Sequence, residues 1–594
     1  MPARPRLLVL PALAAALLLV ACSGRTTGAS NVAQQTDGSY TARLNARGSC
    51  DQSCSAFMRW RRVGASAWTN GATVNGIPHV DDAPWYQDAS GLAQRAQYEY
   101  QVCGKEDSWS DFVCLGPNGV NSTEKFTTGV PTLTRLSSDP YTNTTSQHAT
   151  EVEPDTFAAG STIVSAFQVG RFFDGGSSNI GWARSADGGG TWTNGFLPGI
   201  TTVAGGSFAR VSDPSVAYDA AHGVWLINSL PLASAGAGSA VVVSRSTNGG
   251  ASWGNPVTVA QAGGGNAGTN LDKNWIVCDN IATSPFYGHC YVEWDDNGNG
   301  NRIKMSTSTD GGLTWGPARE TANAANGLGG QPVVQPNGTV VVPIDNANET
   351  AVLSFRSTNG GASWGSATTV TSIASHGVAG NLRTSPLPSA EIDAAGKVYL
   401  VWQDCRFRSG CTANDIVMTT STDGLSWSPV VRVPLHATGS SFDHFIPGLA
   451  VDRSTSGAGA HLAMAYYYYP NASCTTATCQ LDVGFTSSTD GGKTWTSPLQ
   501  VAGPLSSSWL ASTNQGVMVG DYISTSFASG SARSVFASAT APSGGVFAEA
   551  MYTAPTGAAA RALAATGATR SARRPAVKST SSDRPAAKRA LTHR

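Results

Sequence analysis

A short motif recurs six times in this chain, and that recurrence limits the fold more than any other feature. The copies read SADGGGTW (185–192), STNGGASW (246–253), STDGGLTW (308–315), STNGGASW (357–364), STDGLSW (421–427) and STDGGKTW (488–495). Their closing tryptophans lie 61, 62, 49, 63 and 68 residues apart. A period of this size predicts repeated supersecondary units that stack to bury a common core. Each copy follows a β-branched run such as SAVVVSRS or NDIVMTTS, which reads as a strand. Asp-Gly or Asn-Gly then turns the chain, with Gly supplying the positive φ. The closing Trp locks the hairpin with its apolar ring, and its N–H needs a partner. On this reading the acids of the motif are structural and carry no chemistry.

The Ser-x-Asp/Asn-x-Gly-x-Thr/Ser-Trp signature resembles the Asp-box, or BNR, repeat of the sialidase superfamily. The resemblance spans 132–555 and implies a six-bladed β-propeller with about 70 residues per blade. The same repeats occur in sialidases, other glycosidases and non-catalytic binding proteins, so the fold leaves the function open.

The ends of the chain read differently. Arg4 and Arg6 precede the apolar run LLVLPALAAALLLVA, a targeting segment over 1–21 and too short for a membrane helix. Leu19-Val20-Ala21-Cys22 resembles the bacterial lipobox, which implies lipidation of Cys22 and a membrane anchor, with 22–30 as a polar tether. Ten further cysteines fall into neighbours: Cys50 with Cys54, Cys103 with Cys114, Cys278 with Cys290, Cys405 with Cys411, Cys474 with Cys479. Export and even, clustered cysteines predict five local disulfides. Residues 558–594 carry nine Arg and Lys against Asp583, so 556–594 reads as a disordered basic tail. An acidic body on an exported chain argues against a nucleic-acid partner. The chain is read as a monomer.

The composition, 41% apolar and 13% charged with 67 glycines, suits an all-β protein. Residues 31–128 form a separate block in which YTARLNA, AFMRWRRV and AQYEYQVCG alternate like sandwich strands. Gly91-Leu92 followed by Tyr98-Glu99-Tyr100-Gln101-Val102 resembles the fibronectin type III pattern.

Chemistry is expected where the propeller's inner strands converge. The segment EVEPDTFAAGSTIVSAFQVGRFFDGG resembles the opening blade of bacterial sialidases. By that resemblance Arg171 binds substrate and Asp174 is the acid/base. The place of the family's first arginine is taken by Val152, between Glu151 and Glu153, which would repel a sialic acid carboxylate. Arg383 and Arg406 are further substrate-binding candidates, with Arg408 nearby in a loop that Cys405–Cys411 would hold. Asp213, Asp272, Asp404 and Asp521 stand beside apolar runs and are candidate substrate ligands, and Tyr522 is the candidate nucleophile. His444 beside Asp443 invites a general-base reading but fits a packed strand end better. Residues 295–301, DDNGNGN, match the first half of a calcium loop, but Ser306 stands where Glu is required. A polar hairpin tip and a calcium site are both open for this loop, and no cofactor is required by the expected chemistry. The leading expectation is a cell-surface glycoside hydrolase acting on extracellular glycans. The rival is a non-catalytic glycan- or protein-binding propeller, and a third is an adhesive surface module.

Overall fold

The computed structural model describes residues 22–34, 40–50, 53–63, 65–78, 80–92, 97–107, 111–116, 119–120, 122–127, 133–496 and 498–554. The expected signal segment and basic tail lie outside these. Within them every regular element is a strand or a short 3₁₀ turn, so the chain is all-β as expected.

The N-terminal block is two sheets facing one core. One holds Cys22–Gln34, Tyr40–Cys50 and Val80–Leu92; the other is built on Cys54–Arg62 and Gln97–Glu106. Ala42, Leu44 and Ala46 alternate inward and meet Met58, Trp60, Tyr100 and Val102 from the opposite sheet. The Tyr100 hydroxyl donates to the Asn45 carbonyl (3.0 Å), crossing between sheets. Residues 22–30, expected as a tether, instead belong to a strand paired with Tyr40–Cys50. Their small polar side chains carry no strand signal; the pairing comes from the backbone of the neighbour.

Residues 133–554 hold seven antiparallel sheets, in the first six of which strand order follows chain order, and a small two-stranded pair, Ala511–Thr513 with Gly516–Met518. Sheet one is Gln147–Ala159, Thr162–Arg171, Ser177–Ser185 and Thr193–Phe196. Sheet two is Arg210–Asp219, Val224–Leu232, Ala240–Ser246 and Val257–Gln261. Sheet three has three strands, Leu271–Cys278, Cys290–Asp296 and Arg302–Ser308. Sheet four opens with Gly327–Leu328 and Val333–Val334, both paired with Val340–Asn346. Sheets five and six begin at Ser389–Ile392 and Asp443–Val451. Sheet seven is Ser524–Ala528, Ser531–Ala539 and Glu549–Thr553, and its fourth strand is Thr134–Arg135 from the other end of the domain. The first strands touch in a circle, one to two and onward to seven, and seven back to one.

The expected six blades are thus seven. Five of the six motif copies sit in the turn between the third and fourth strands of a sheet, and the copy at 308–315 follows the last strand of the three-stranded sheet three. In sheet seven the third and fourth strands come from opposite ends of the domain, so no turn exists there to carry a seventh copy. Within each turn the acid acts as foreseen. In the third copy Asp310 accepts from the Leu313 and Thr314 amides (3.0 and 2.9 Å), while Ser308 Oγ donates to Asp310 Oδ1 (2.8 Å). The tryptophan N–H reaches a glycine carbonyl in two copies, Trp192 to Gly189 and Trp495 to Gly492. In Trp253, Trp315, Trp364 and Trp427 it is buried without a partner. All five expected disulfides are formed.

Candidate functional site

The first strands share a defect that builds the site. Strand register slips by a bulge between Val152 and Asp155, Ser212 and Ser215, Asp272 and Trp275, and Phe445 and Gly448. Glu153, Asp213, Lys273 and Ile446 sit in these bulges with φ of 56°, 46°, 48° and 49°. Non-glycine residues rarely adopt this conformation, and for a β-branched Ile it is a clear outlier. Strain of this kind concentrates at functional sites.

Equivalent bonds between neighbouring sheets fix the alignment. Ser524 Oγ accepts from the Thr156 amide (3.0 Å), Asp155 from Val216 (2.7 Å), Ser215 from Ile276 (3.2 Å) and Ser389 from Leu449 (3.1 Å). Two residues earlier in the chain stand Tyr522 and Leu387, just ahead of their first strands, and Glu153 and Asp213, within theirs. With Lys273, Gly329 and Ile446 they complete one position per sheet. Six of the seven, all but Glu153, line a single cavity, together with Asn274, Trp275, Gln331, Pro388, Pro447 and Asp521. A cavity walled by six sheets of a ring lies on its axis.

One side of that axis is charged and the other apolar. Lys273 Nζ forms a short ion pair with Asp521 and lies 3.8 Å from Asp213 Oδ1. Arg383 Nη2 donates to the same Asp521 oxygen at 2.5 Å. Glu153 accepts from the Asp521 amide (3.3 Å) and, in a short contact, from the Gln168 side-chain amide. Gln168 Oε1 in turn accepts from Arg171 Nη1 (3.3 Å), whose other bond goes to the Gly176 carbonyl (2.7 Å). Across the axis Gly329, Leu387 and Ile446 offer no charge.

This arrangement separates the carboxylates. Burial opposes ionisation of Asp521, but Arg383 and Lys273 offset it and hold Asp521 well below the usual carboxylate range. Burial, then the Asp213 and Asp521 charges, push Glu153 up to about 7. Burial likewise raises Asp213 and Asp272, against the pull of Lys273. One anion and three proton-affine acids therefore share a site, the pattern from which acid and base roles arise.

Arg171, Arg383, Asp213, Asp272, Asp521 and Tyr522, singled out in the sequence, thus converge. The rest do not. Asp174 is half exposed and bound by Arg210 at 2.5 Å; that hydrogen bond lowers its pKa, so it is a poor proton donor. Arg406 is spent on Asp404 (2.7 Å) and on Thr371 and Ser372 beside it. Tyr522 donates to the Pro214 carbonyl (3.0 Å); burial and the surrounding acids raise its pKa well above normal, so the expected nucleophile stays a neutral phenol. His444 Nδ1 is bonded to the Asn414 carbonyl (3.3 Å) and Nε2 to His436 (2.9 Å), and burial pushes its pKa down to about 3. Asp443 accepts from the Asn414 amide (2.7 Å). Asp296 caps the amides of Thr269 and Asn270, and Asp295 accepts from Asn301 (2.7 Å), so the half calcium loop is a polar hairpin. Among the described residues no group of three or more His, Cys, Asp or Glu is placed to hold a metal.

Glu153, Lys273 and Gln168 escaped sequence reasoning. A signal existed: Glu153, Asp213 and Lys273 are spaced by 60 residues, and Pro follows the first two.

A search of curated protein sequences finds no match. Among solved structures the chain is similar to the Hadza microbial sialidase Hz136, at 14% identity and TM-score 0.37, covering 79% of this chain and 95% of that one. It is also similar to a PL25 ulvan lyase (12%, TM-score 0.43, 72% and 96%) and to Trypanosoma rangeli sialidase in complex with sialic acid (14%, TM-score 0.40, 60% and 58%). Likeness at these scores carries no argument about activity. Residues 233–448, a little over a third of the chain, match a BNR repeat-like domain.

Proposed function

We propose that this chain is a glycan-acting enzyme, a glycoside hydrolase whose centre is the axial cavity. The observation that carries the reading is the pairing, on one cavity wall, of proton-affine Asp213 with anionic Asp521. Glycoside cleavage needs a carboxylic acid to protonate the leaving oxygen and a carboxylate facing the positive charge at the anomeric carbon. Asp213 takes the first role and Asp521 the second: burial raises the proton affinity of Asp213, while Arg383 and Lys273 hold Asp521 as the anion. The edge-to-face pair Trp275–Tyr522, ring centroids 5.1 Å apart, gives the sugar ring an apolar surface.

The sialidase-like form of this reading has less support. Arg383 is paired with Asp521 and Arg171 with Gln168 and Gly176, and neither lines the cavity where a substrate carboxylate would sit. We place the enzyme outside the cytoplasm, as a lipoprotein held by Cys22, with a fibronectin type III-like sandwich as its spacer. Non-catalytic glycan binding is the second reading. It is favoured by the two cations on Asp521, which weaken that carboxylate as a base.

The test is turnover of a panel of neutral chromogenic glycosides by wild type and Asp213→Asn, with folding checked by circular dichroism. Loss of at least about 100-fold in the variant is expected. Equal turnover dismisses Asp213 as the acid. Binding without turnover by wild type selects the second reading.

A further inference from the structure

The N-terminal sandwich carries a cation that no acid neutralises. In Cys54–Arg62 the side chains of Met58 and Trp60 face the core, so alternation turns Arg59 and Arg61 outward. Their guanidinia lie 4.5 and 4.3 Å from the ring centroid of Trp68, which stays part exposed. Arg61 is paired with Glu99 at 2.7 Å. Arg59 has no carboxylate within ion-pair distance among the described residues; its hydrogen bonds go to Gln101, a neutral amide.

Gln101 aims that guanidinium without discharging it. Arg59 Nε (3.0 Å) and Nη2 (2.6 Å) both donate to Gln101 Oε1. Gln101 Nε2 donates to the Ser122 carbonyl (2.7 Å), which fixes the orientation of the amide. One edge of the guanidinium is thereby filled. The edge between Nη1 and Nη2 keeps two parallel N–H groups, the fork that a carboxylate accepts at both oxygens. Partial burial and then the Arg61 charge lower the Arg59 pKa, so the cation is held against a cost that a bound anion would offset.

The surroundings select the carrier of that anion. A sheet face presents side chains and no free backbone groups, so an acidic peptide laid there gains none of the main-chain pairing by which strands capture peptides. A lipid surface is disfavoured by the charge of the whole block, since 31–128 hold eight Arg and Lys against ten Asp and Glu. A sugar chain meets neither obstacle. Its hydroxyls pair with side chains, and the C–H face of its ring rests against an aromatic such as Trp68.

We infer that the outward face of this sheet binds a polysaccharide bearing uronic acid carboxylates, one of them seated in the free fork of Arg59 with its sugar ring against Trp68. The site belongs to the sandwich and not to the axial cavity, and the inference does not depend on the chemistry there.

The experiment is calorimetric titration of the full mature chain with trigalacturonate, maltotriose, triglutamate and inorganic sulfate, repeated with Arg59→Gln and Arg59→Lys. Trigalacturonate is expected to bind at least about tenfold more tightly than the other three. Both variants are expected to lose that advantage, because the first removes charge and fork and the second keeps the charge alone. Circular dichroism checks folding, and Arg59→Lys decides if Arg59→Gln does not fold. Equal affinity of trigalacturonate for wild type and Arg59→Gln places the binding elsewhere on the chain and overturns the site. Full affinity in Arg59→Lys overturns the fork. Triglutamate or sulfate binding as tightly as trigalacturonate overturns the sugar part, and absence of trigalacturonate binding overturns the whole. None of these outcomes touches the hydrolase reading, which is judged on turnover.

Discussion

Gly520 lies directly against Glu153. A side chain there would place its Cβ 2.7 Å from the Glu153 amide nitrogen and 2.8 Å from its Cα. Both residues have positive φ, 132° and 56°. The last sheet therefore positions the buried acid of the first. Gly520→Ala is expected to cost about 2–4 kcal/mol, from backbone strain and the clash together. It should also weaken glycan binding, because Glu153 must move. Denaturant unfolding and calorimetry on the variant check both effects; a variant as stable as wild type would refute the contact.

Lys273 joins Asp521 and Asp213 in the interior of the ring. Lys273→Met leaves two buried carboxylates without their shared cation. A loss of about 3–5 kcal/mol is expected. Asp521 should then titrate nearer the normal carboxylate range, moving the acid limb of any pH–rate profile upward.

Stability should fall as pH rises from about 5 to 8. Burial raises Glu151, and with it Glu153 and Asp155, to about 7. An acid whose folded pKa exceeds its unfolded value binds a proton more tightly when folded. Its contribution is complete below about 4.5 and is lost as pH climbs through about 7. Each such group contributes on the order of 2–3 kcal/mol. Glu151, with one oxygen accepting from Ser137 (2.6 Å) and the other unpartnered, is the cleanest probe. Melting temperatures of Glu151→Gln across this range should decline less steeply than those of wild type; parallel curves would refute the assignment.

Asp174→Ala is expected to leave turnover unchanged and to cost about 1–3 kcal/mol, since Asp174 is half exposed but its partner Arg210 is buried and would keep only the Gly175 and Ser234 carbonyls. A large loss of activity would return Asp174 to the catalytic centre.

Asp310→Ala removes the acceptor for two amides and the Ser308 hydroxyl. Chemical denaturation should show a loss of about 1–2 kcal/mol with glycan affinity intact. Altered binding would contradict the structural role of the repeat.

What the sequence disclosed was local. Ser308, Asp310, Gly312 and Trp315 lie within eight residues, so one turn's chemistry could be read without knowing its neighbours. The same holds for Cys405 and Cys411. The seventh sheet was invisible because Thr134 pairs with Thr553 and no turn links them. The axial cluster was half visible. Asp213, Asp521 and Arg383 drew attention as charges beside apolar runs, but their convergence depends on bulges that slip the register. Asp174 misled because the Arg210 that neutralises it lies on the next sheet, 36 residues on.

The union of Thr134–Arg135 with Glu549–Thr553 sets a condition on biosynthesis. Until residue 553 has left the ribosome, Thr134–Arg135 has no mate and Gln147–Ala159 is paired on one side alone, so a nascent chain presents raw strand edges at both margins of an incomplete circle. Truncation by as little as the final strand leaves that clasp undone, and such fragments are expected to self-associate.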